Sequence, residues 1–160
     1  MLNCGIYLAV TGILSFFLGR CLRPERRDWN RFPYLLYACE KDGTIYRKIG
    51  IHHWQNKVPD MSKIFPGMMP PKRLVDTGTA ALRRMIQETC TAELVHGVLC
   101  VTGLYCIVLW PGTGGIVISV LNILLFNLPF ILIQRYNRPR LVRLYDRQSQ
   151  KERVSATCQP

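Results

Sequence analysis

Three uncharged apolar segments dominate this chain and separate its charged parts. They run over Leu2 to Leu18, Leu94 to Trp110 and Gly115 to Ile133. Each holds roughly 17 to 19 residues, which is the short end of what spans a bilayer as a helix. The pattern predicts an all-α membrane protein with three transmembrane helices, and a cytoplasmic interfacial segment between the first and the second.

The positive charges predict how these helices are oriented. Fourteen of the 21 Lys and Arg residues lie between Arg20 and Arg84, and the other seven lie between Arg135 and Arg153. Because Lys and Arg hold a loop on the cytoplasmic side, residues 20–93 and 134–160 are expected to be cytoplasmic. The N-terminus and the turn from Pro111 to Gly115 then face outside. We expect a multi-pass protein of the cell membrane.

The first apolar segment also resembles a secretory signal peptide in length. It lacks a basic region before it, however, and Arg20 follows it where a small-residue cleavage site would stand. We therefore expect Leu2 to Leu18 to remain a membrane helix, and residues 1–160 to form one domain. The formal net charge of +11 predicts attraction to anionic membrane lipids, and no nucleic-acid partner is expected.

The cytoplasmic stretch is too rich in aromatic and aliphatic residues to be a free linker. Tyr46 to Lys57 alternates basic with apolar residues and predicts an amphipathic segment at the membrane surface. A helical pattern then starts near Thr79 and meets no breaker before Trp110. The sequence thus predicts one continuous helix over 79–110 that carries Glu93 and His96 to the membrane boundary.

Glu93 and His96 are the predicted catalytic pair. Their i,i+3 spacing places them on one helical face, where water gives way to lipid. A carboxylate beside an imidazole raises its basicity and fixes its tautomer, as a general base for deprotonating a hydroxyl requires. The alternative is an interfacial histidine near a solvated glutamate.

A second cluster follows the third apolar segment. Three guanidiniums, two amides and a phenol are candidates for binding a phosphate, a carboxylate or a sugar. These residues are Gln134, Arg135, Tyr136, Asn137, Arg138 and Arg140. The alternative is that Arg and Tyr only anchor the end of the helix in the membrane surface.

Polar residues also interrupt the third segment itself. Pro129 frees the carbonyl of Leu125, which must find a partner inside the protein. Asn122 and Asn127 are therefore expected to face the helical bundle, and Asn127 is a candidate for binding substrate.

His52, His53, Trp54 and Asp60 form a third polar group. Two histidines and a carboxylate suggest a metal, but their spacing fits no standard zinc motif. The seven cysteines form no CxxC pair and are expected to be reduced. We expect neither a metal nor another cofactor.

Four short runs together resemble the glycosyl-diaponeurosporenoate acyltransferase family, over most of the chain from Trp54 onward. The runs are Met85-Ile86-Gln87-Glu88-Thr89, Ala92-Glu93-Leu94-Val95-His96, Asn127-x-Pro129 and Gln134-Arg135-Tyr136-Asn137-Arg138-Pro139-Arg140-Leu141. That family comprises small integral membrane proteins that esterify a sugar hydroxyl of a glycosylated carotenoid acid with a fatty acyl chain.

The resemblance implies acyl transfer and matches Glu93, His96 and residues 134–140 individually. Trp54 and Asp60 also correspond to family positions, which makes them candidates for substrate binding. His52 and His53 do not correspond, and Gly97 stands where the family pattern has a Trp.

The sequence thus predicts a membrane-bound acyltransferase that works at the cytoplasmic face without a metal. Its partners would be an acyl donor (acyl-CoA, acyl carrier protein or a phospholipid) and a lipid or glycolipid acceptor with a hydroxyl or an amine. In this hypothesis Asn137 helps to stabilise the oxyanion. Two other functions stay open, a non-catalytic membrane scaffold or lipid-binding subunit, and a metal-dependent lipid hydrolase that uses His52, His53, Glu93 and His96.

Overall fold

The structure is a computed structural model that describes residues 1–22, 24–41, 44–58 and 78–157. Within these ranges the chain forms helices and turns and contains no strand, which confirms the all-α fold. The helices are α1 Leu2–Cys21, α2 Ala38–Lys41, α3 Thr44–Lys48, α4 Ile51–Trp54, α5 Thr79–Gly103, α6 Cys106–Leu109, α7 Thr113–Leu121 and α8 Leu128–Thr157.

Among the described residues, three helical segments are long and apolar enough to cross a membrane, judged by length and composition. They are Leu2–Gly19, Thr79–Leu109 and Thr113–Thr157. Large apolar side chains are exposed on each of them, for example Ile13, Val101 and Leu125, as a surface that contacts lipid requires. The predicted number of spans is confirmed.

The predicted continuous helix over 79–110 is interrupted once. α5 ends at Gly103, and α6 begins at Cys106 after one turn. Gly103 lies against Asn122, since a Cβ atom at Gly103 would stand only 2.1 Å from Asn122 Nδ2. Glycine therefore permits this close approach between the second and third spans.

A tight turn reverses the chain between α6 and α7. Gly112 has a φ of 103°, a left-handed conformation that favours glycine. A Cβ atom at Gly115 would lie 2.2 Å from the carbonyl oxygen of Trp110, so this position also excludes a larger residue. These turn residues thus join the second and third spans as a helical hairpin.

The third span does not break at Pro129 but changes its helical geometry before it. Residues Asn122–Asn127 form a π-helical turn that joins α7 to α8, and the N–H of Leu128 bonds the carbonyl of Ile123, five residues back. This turn absorbs the missing N–H of Pro129 without ending the helix. α8 then continues well beyond the apolar segment, to Thr157.

The segment before α5 packs onto α8. Tyr46 of α3, Ile51 of α4 and Tyr136 of α8 form a buried cluster, and Trp54 packs against it. The amphipathic stretch from Tyr46 to Lys57 consists of α3, α4 and a 3-10 turn over Gln55–Lys57. That this segment lies in the membrane surface stays a prediction.

Candidate functional site

Glu93 lies on α5 between two arginines of α8. Its Oε1 accepts a hydrogen bond of 2.6 Å from Arg135 Nη1, and its Oε2 accepts one from Arg138 Nη2. The two arginines are three residues apart and so lie on one side of α8. The carboxylate therefore joins the second and third spans by two ion pairs.

Arg138 is fully buried, with none of its side-chain surface exposed. Its Nε donates to Thr89 Oγ1 at 2.9 Å, and its Nη1 donates to the carbonyl of Tyr34 at 2.8 Å. Together with the bond to Glu93, each guanidinium nitrogen thus has an acceptor inside the protein. Because an unpaired buried charge is costly, this arrangement fixes the position of the whole side chain.

Arg135 connects the same centre to α2. Its Nε and Nη2 donate to the two carboxylate oxygens of Glu40 at 2.8 and 2.7 Å, a bidentate pair. Tyr46 donates its hydroxyl hydrogen to Glu40 as well. Glu40, Glu93, Arg135 and Arg138 form a group of two anions and two cations, which we call the ion cluster.

Burial alone would raise the pKa of Glu40. The hydrogen bonds from Arg135 and Tyr46 outweigh that effect and lower the pKa of Glu40 from 4.5 to about 2. For Tyr46, burial and the hydrogen bond to Glu40 both raise the pKa of the phenol. Glu40 is therefore a carboxylate and Tyr46 a neutral donor at physiological pH.

His96 lies one helical turn beyond Glu93 on α5. Its Nδ1 is 3.1 Å from Asn127 Oδ1, and its ring stacks on Phe130 at 4.6 Å between centroids with an angle of 6° between the planes. Both partners belong to the third span, Asn127 to the π-helical turn and Phe130 to α8. The imidazole is therefore held from two sides.

Asn127 is itself held by a second asparagine. Its Nδ2 donates to the backbone carbonyl of Asn122 at 2.9 Å and to Asn122 Oδ1 at 3.2 Å, while Asn122 Nδ2 donates to the carbonyl of Leu99 at 3.3 Å. Asn122 and Asn127 are both buried, as the sequence predicted for side chains that face the bundle. We call the series from His96 through Asn127 and Asn122 to Leu99 the asparagine chain.

The structure brings several of the predicted site residues to the same two helices and leaves others apart. Gln134 shares a face of α8 with Phe130 and Arg138, at steps of four residues. Tyr136 is buried in the cluster with Tyr46, and the guanidinium of Arg140 covers its ring at 4.1 Å. Half-buried Asn137 lies one residue before Arg138.

The residues from the third polar group are more scattered. Trp54 donates its indole hydrogen to the carbonyl of Ile49 at 3.4 Å. The rings of His52 and His53 are exposed, and their centroids lie 3.8 Å apart with an angle of 43° between the planes. Asp60 lies outside the described residues. In the part of the chain that the structure describes, no three His, Cys, Asp or Glu side chains are close enough together to hold a metal ion.

The sequence pattern did not reveal Glu40, Tyr34 or Thr89 as parts of the ion cluster and its shell. Their contacts with Arg135 and Arg138 join residues about 50 to 100 positions apart in the chain, which no local spacing indicates. One signal was available in the sequence, since Glu40 directly follows an apolar run from Pro33 to Cys39.

These helices and contacts define a helical membrane protein with a polar centre between its second and third spans. The imidazole of His96 and two amides lie between the apolar parts of these spans, and the ion cluster lies one helical turn away from the imidazole. Polar side chains such as His96, Asn122 and Asn127 are costly within apolar spans and are typical of functional sites.

Comparison with known proteins identifies the family. A family model described as glycosyl-4,4'-diaponeurosporenoate acyltransferase matches residues 26–147. The chain belongs to this family, as the resemblance in its sequence implied. Two curated relatives of that name, both from Staphylococcus aureus, are 29% identical (strain N315) and 30% identical (strain MRSA252) to it. In each case the match covers 88% of this chain and 85% of the relative. No solved structure matches.

Proposed function

We propose that this protein is a membrane-bound acyltransferase that moves a fatty acyl chain onto a hydroxyl of a glycolipid. Membership of the family supports acyl transfer, since the curated relatives carry that activity in their name. The observation that carries the proposal is the position of His96, an imidazole held by Asn127 at 3.1 Å within the second and third spans. A hydroxyl needs such a base in order to attack an acyl carbonyl at neutral pH.

The reaction has two proton transfers through His96. Its imidazole takes the proton of the acceptor hydroxyl while the hydroxyl oxygen forms a bond to the acyl carbonyl carbon. The bond from that carbon to the sulfur or oxygen of the donor then breaks, and the imidazolium returns the proton to the leaving group. No metal is needed for either step.

The ion cluster lies between His96 and α2, and it stabilises the contact between α5 and α8 next to the proposed site. Arg135 and Arg138 direct their donors at Glu93, Glu40 and backbone carbonyls, and Arg138 is fully buried. We assign both arginines to holding Glu93 and the two helices in place. A substrate that contacted Arg138 directly would first have to displace these partners.

Among the candidate residues Gln134 to Arg140 of α8, Gln134 is in the best position to bind substrate. It follows Phe130 and precedes Arg138 by four residues each, so it lies on the face that presents Phe130 to His96. Its amide can donate to a sugar or to the oxyanion. The glycosyl group named for the relatives is a sugar of this kind, and the acyl chain would lie between the spans.

The distribution of Lys and Arg supports our proposal that this chemistry takes place at the cytoplasmic face. In this orientation the N-terminus and the turn after Trp110 lie outside, while α2 to α4 and the end of α8 lie in the cytoplasm. Acyl-CoA, acyl carrier protein and phospholipid are all donors that this side of the membrane offers.

Reconstitution tests the proposed activity. The purified protein is reconstituted in vesicles with a glycolipid acceptor and one of three labelled donors, an acyl-CoA, an acylated acyl carrier protein or a phospholipid. The lipids are then extracted, separated and identified by mass spectrometry. We expect an acylated glycolipid with at least one donor. The absence of this product with all three donors, from protein that is folded, would contradict the proposal.

A further inference from the structure

Hydrogen-bond directions along the asparagine chain determine which nitrogen of His96 carries the proton. The chain ends on two backbone carbonyls, those of Leu99 and Asn122, and a carbonyl oxygen can only accept. Asn122 must therefore turn its Nδ2 toward Leu99, and its Oδ1 then faces Asn127. Both contacts, at 3.3 and 3.2 Å, are within hydrogen-bond range.

The same argument continues to the imidazole. Asn127 faces two acceptors, the carbonyl oxygen and Oδ1 of Asn122, so it must present its Nδ2 to them. Its Oδ1 is then directed at His96 Nδ1, 3.1 Å away. An amide oxygen accepts only, so Nδ1 must be the donor, and the neutral ring carries its acceptor lone pair on Nε2.

We propose that Asn127, supported by Asn122, is the positioning residue that fixes His96 in the Nδ1–H tautomer and so makes Nε2 the general base. The inference rests on the proposed function for the role of the base, although the tautomer itself follows from the hydrogen bonds. The sequence had assigned the orienting role to Glu93. Both oxygens of Glu93, however, accept from arginines.

The π-helical turn brings the two asparagines together. Asn122 and Asn127 are five residues apart, and in a regular α-helix the residues that stack are three or four apart. A π-helical turn instead bonds residue i to residue i+5, so it aligns this pair. The turn is thus the part of the backbone that presents Asn127 to the imidazole, and π-helical turns are frequent at functional sites.

Nitrogen-15 NMR of the imidazole reads the tautomer directly. The chain has three histidines, and His52 and His53 are exposed, so a His52→Gln, His53→Gln protein leaves His96 as the only signal. Protonated and unprotonated ring nitrogens resonate far apart, and the spectrum is recorded about two pH units above the ordinary imidazole pKa of about 6.5. We expect a protonated Nδ1 and an unprotonated Nε2. A protonated Nε2 in this protein would overturn the inference.

Asn127→Leu removes the acceptor at similar volume. We expect the proton to move to Nε2, which an unconstrained imidazole prefers, and kcat to fall by at least about tenfold with little change in KM. Loss of the correct tautomer costs up to about 10⁴-fold in a catalytic triad. Asn127→Asp keeps an acceptor for Nδ1 and should keep the Nδ1–H tautomer. An Nδ1–H signal that persists in Asn127→Leu would overturn the inference.

Two further variants complete the test. Asn122→Leu leaves Asn127 with only the backbone acceptor, so its effects should lie between those of the unchanged protein and Asn127→Leu. Leu125→Ala, in the same turn but 60% exposed, is the matched control and should change neither tautomer nor rate. If the tautomer shifts in Asn127→Leu while kcat stays the same, Asn127 positions the ring as inferred, and it is the role of His96 as a base that fails.

Discussion

Glu93 of α5 and Arg138 of α8 form an ion pair in which the arginine side chain is fully buried. The pair lies one helical turn before His96 and joins the second and third spans, which together hold the asparagine chain. We therefore expect substitutions of Glu93 or Arg138 to affect mainly the stability of the protein, and catalysis only as a consequence.

Glu93→Gln should destabilise the protein strongly. The change leaves Arg138 without a counter-charge and Arg135 with only Glu40, and removing one partner of a buried pair costs about 3 to 5 kcal/mol. Glu88→Gln is the matched control on the same helix, because Glu88 pairs with Arg84 on the surface, where such pairs contribute about 0 to 1 kcal/mol. Reversible unfolding in detergent measures both. An equal decrease in the free energy of unfolding for the two variants would show that the buried pair contributes no more to stability than the surface pair.

Acidification should weaken the link between α2 and α8. The pKa of Glu40 is lowered from 4.5 to about 2, so its stabilising effect is present above pH 4.5 and is lost as the pH falls toward 2. The total corresponds to roughly 3 kcal/mol, from about 1.4 kcal/mol per pKa unit. Melting temperatures at pH 6 and pH 3 measure this. Glu40→Gln should lose less stability over that range than the unchanged protein, and an equal loss would rule Glu40 out as the cause.

Gly103→Ala should disturb the contact between the second and third spans. The added methyl group would stand 2.1 Å from Asn122 Nδ2 and 3.1 Å from its Cγ, so Asn122 has to move. Overpacking of this kind costs about 1 to 3 kcal/mol. Gly97→Ala on the same helix is the control, since nothing lies within 4 Å of its added methyl group. Thermal unfolding of the two variants should differ clearly, and the same melting temperature for both would argue against the close approach.

Cysteine labelling tests the orientation in the membrane. A variant whose only cysteine is Cys39, an exposed residue, should react with a membrane-impermeant maleimide only from the cytoplasmic side. A variant whose only cysteine is introduced by Thr113→Cys, at the exposed first residue of α7 just after the turn, should react only from outside. Intact cells and inverted vesicles supply the two sides. The reverse pattern would invert the topology derived from the Lys and Arg residues.

The sequence revealed the spans because charge is absent from them over long stretches, a signal that needs no knowledge of packing. It also placed Asn122 and Asn127 inside the bundle, since an amide in lipid requires a partner. The π-helical turn was not predicted, because the composition of an apolar run such as Ile123 to Phe126 does not distinguish an α-helix from a π-helical turn.

The local spacing of Glu93 and His96 predicted that they share a face of one helix but did not indicate their partners. Glu93 pairs with arginines more than 40 residues away, and Nδ1 of His96 faces an asparagine 31 residues away. Such partners depend on how α5 packs against α8 and on where α2 comes to rest. The sequence alone contains no periodicity that reports either arrangement.

The acyl-transfer rate of His96→Ala tests the central claim most directly. With reconstituted protein and a donor that supports the reaction, we expect the rate to fall by about 10² to 10⁴-fold, the usual cost of removing a general base. His53→Ala, the same change at an exposed histidine, should leave the rate close to that of the unchanged protein. A folded His96→Ala protein that transfers acyl chains at the native rate would contradict the account.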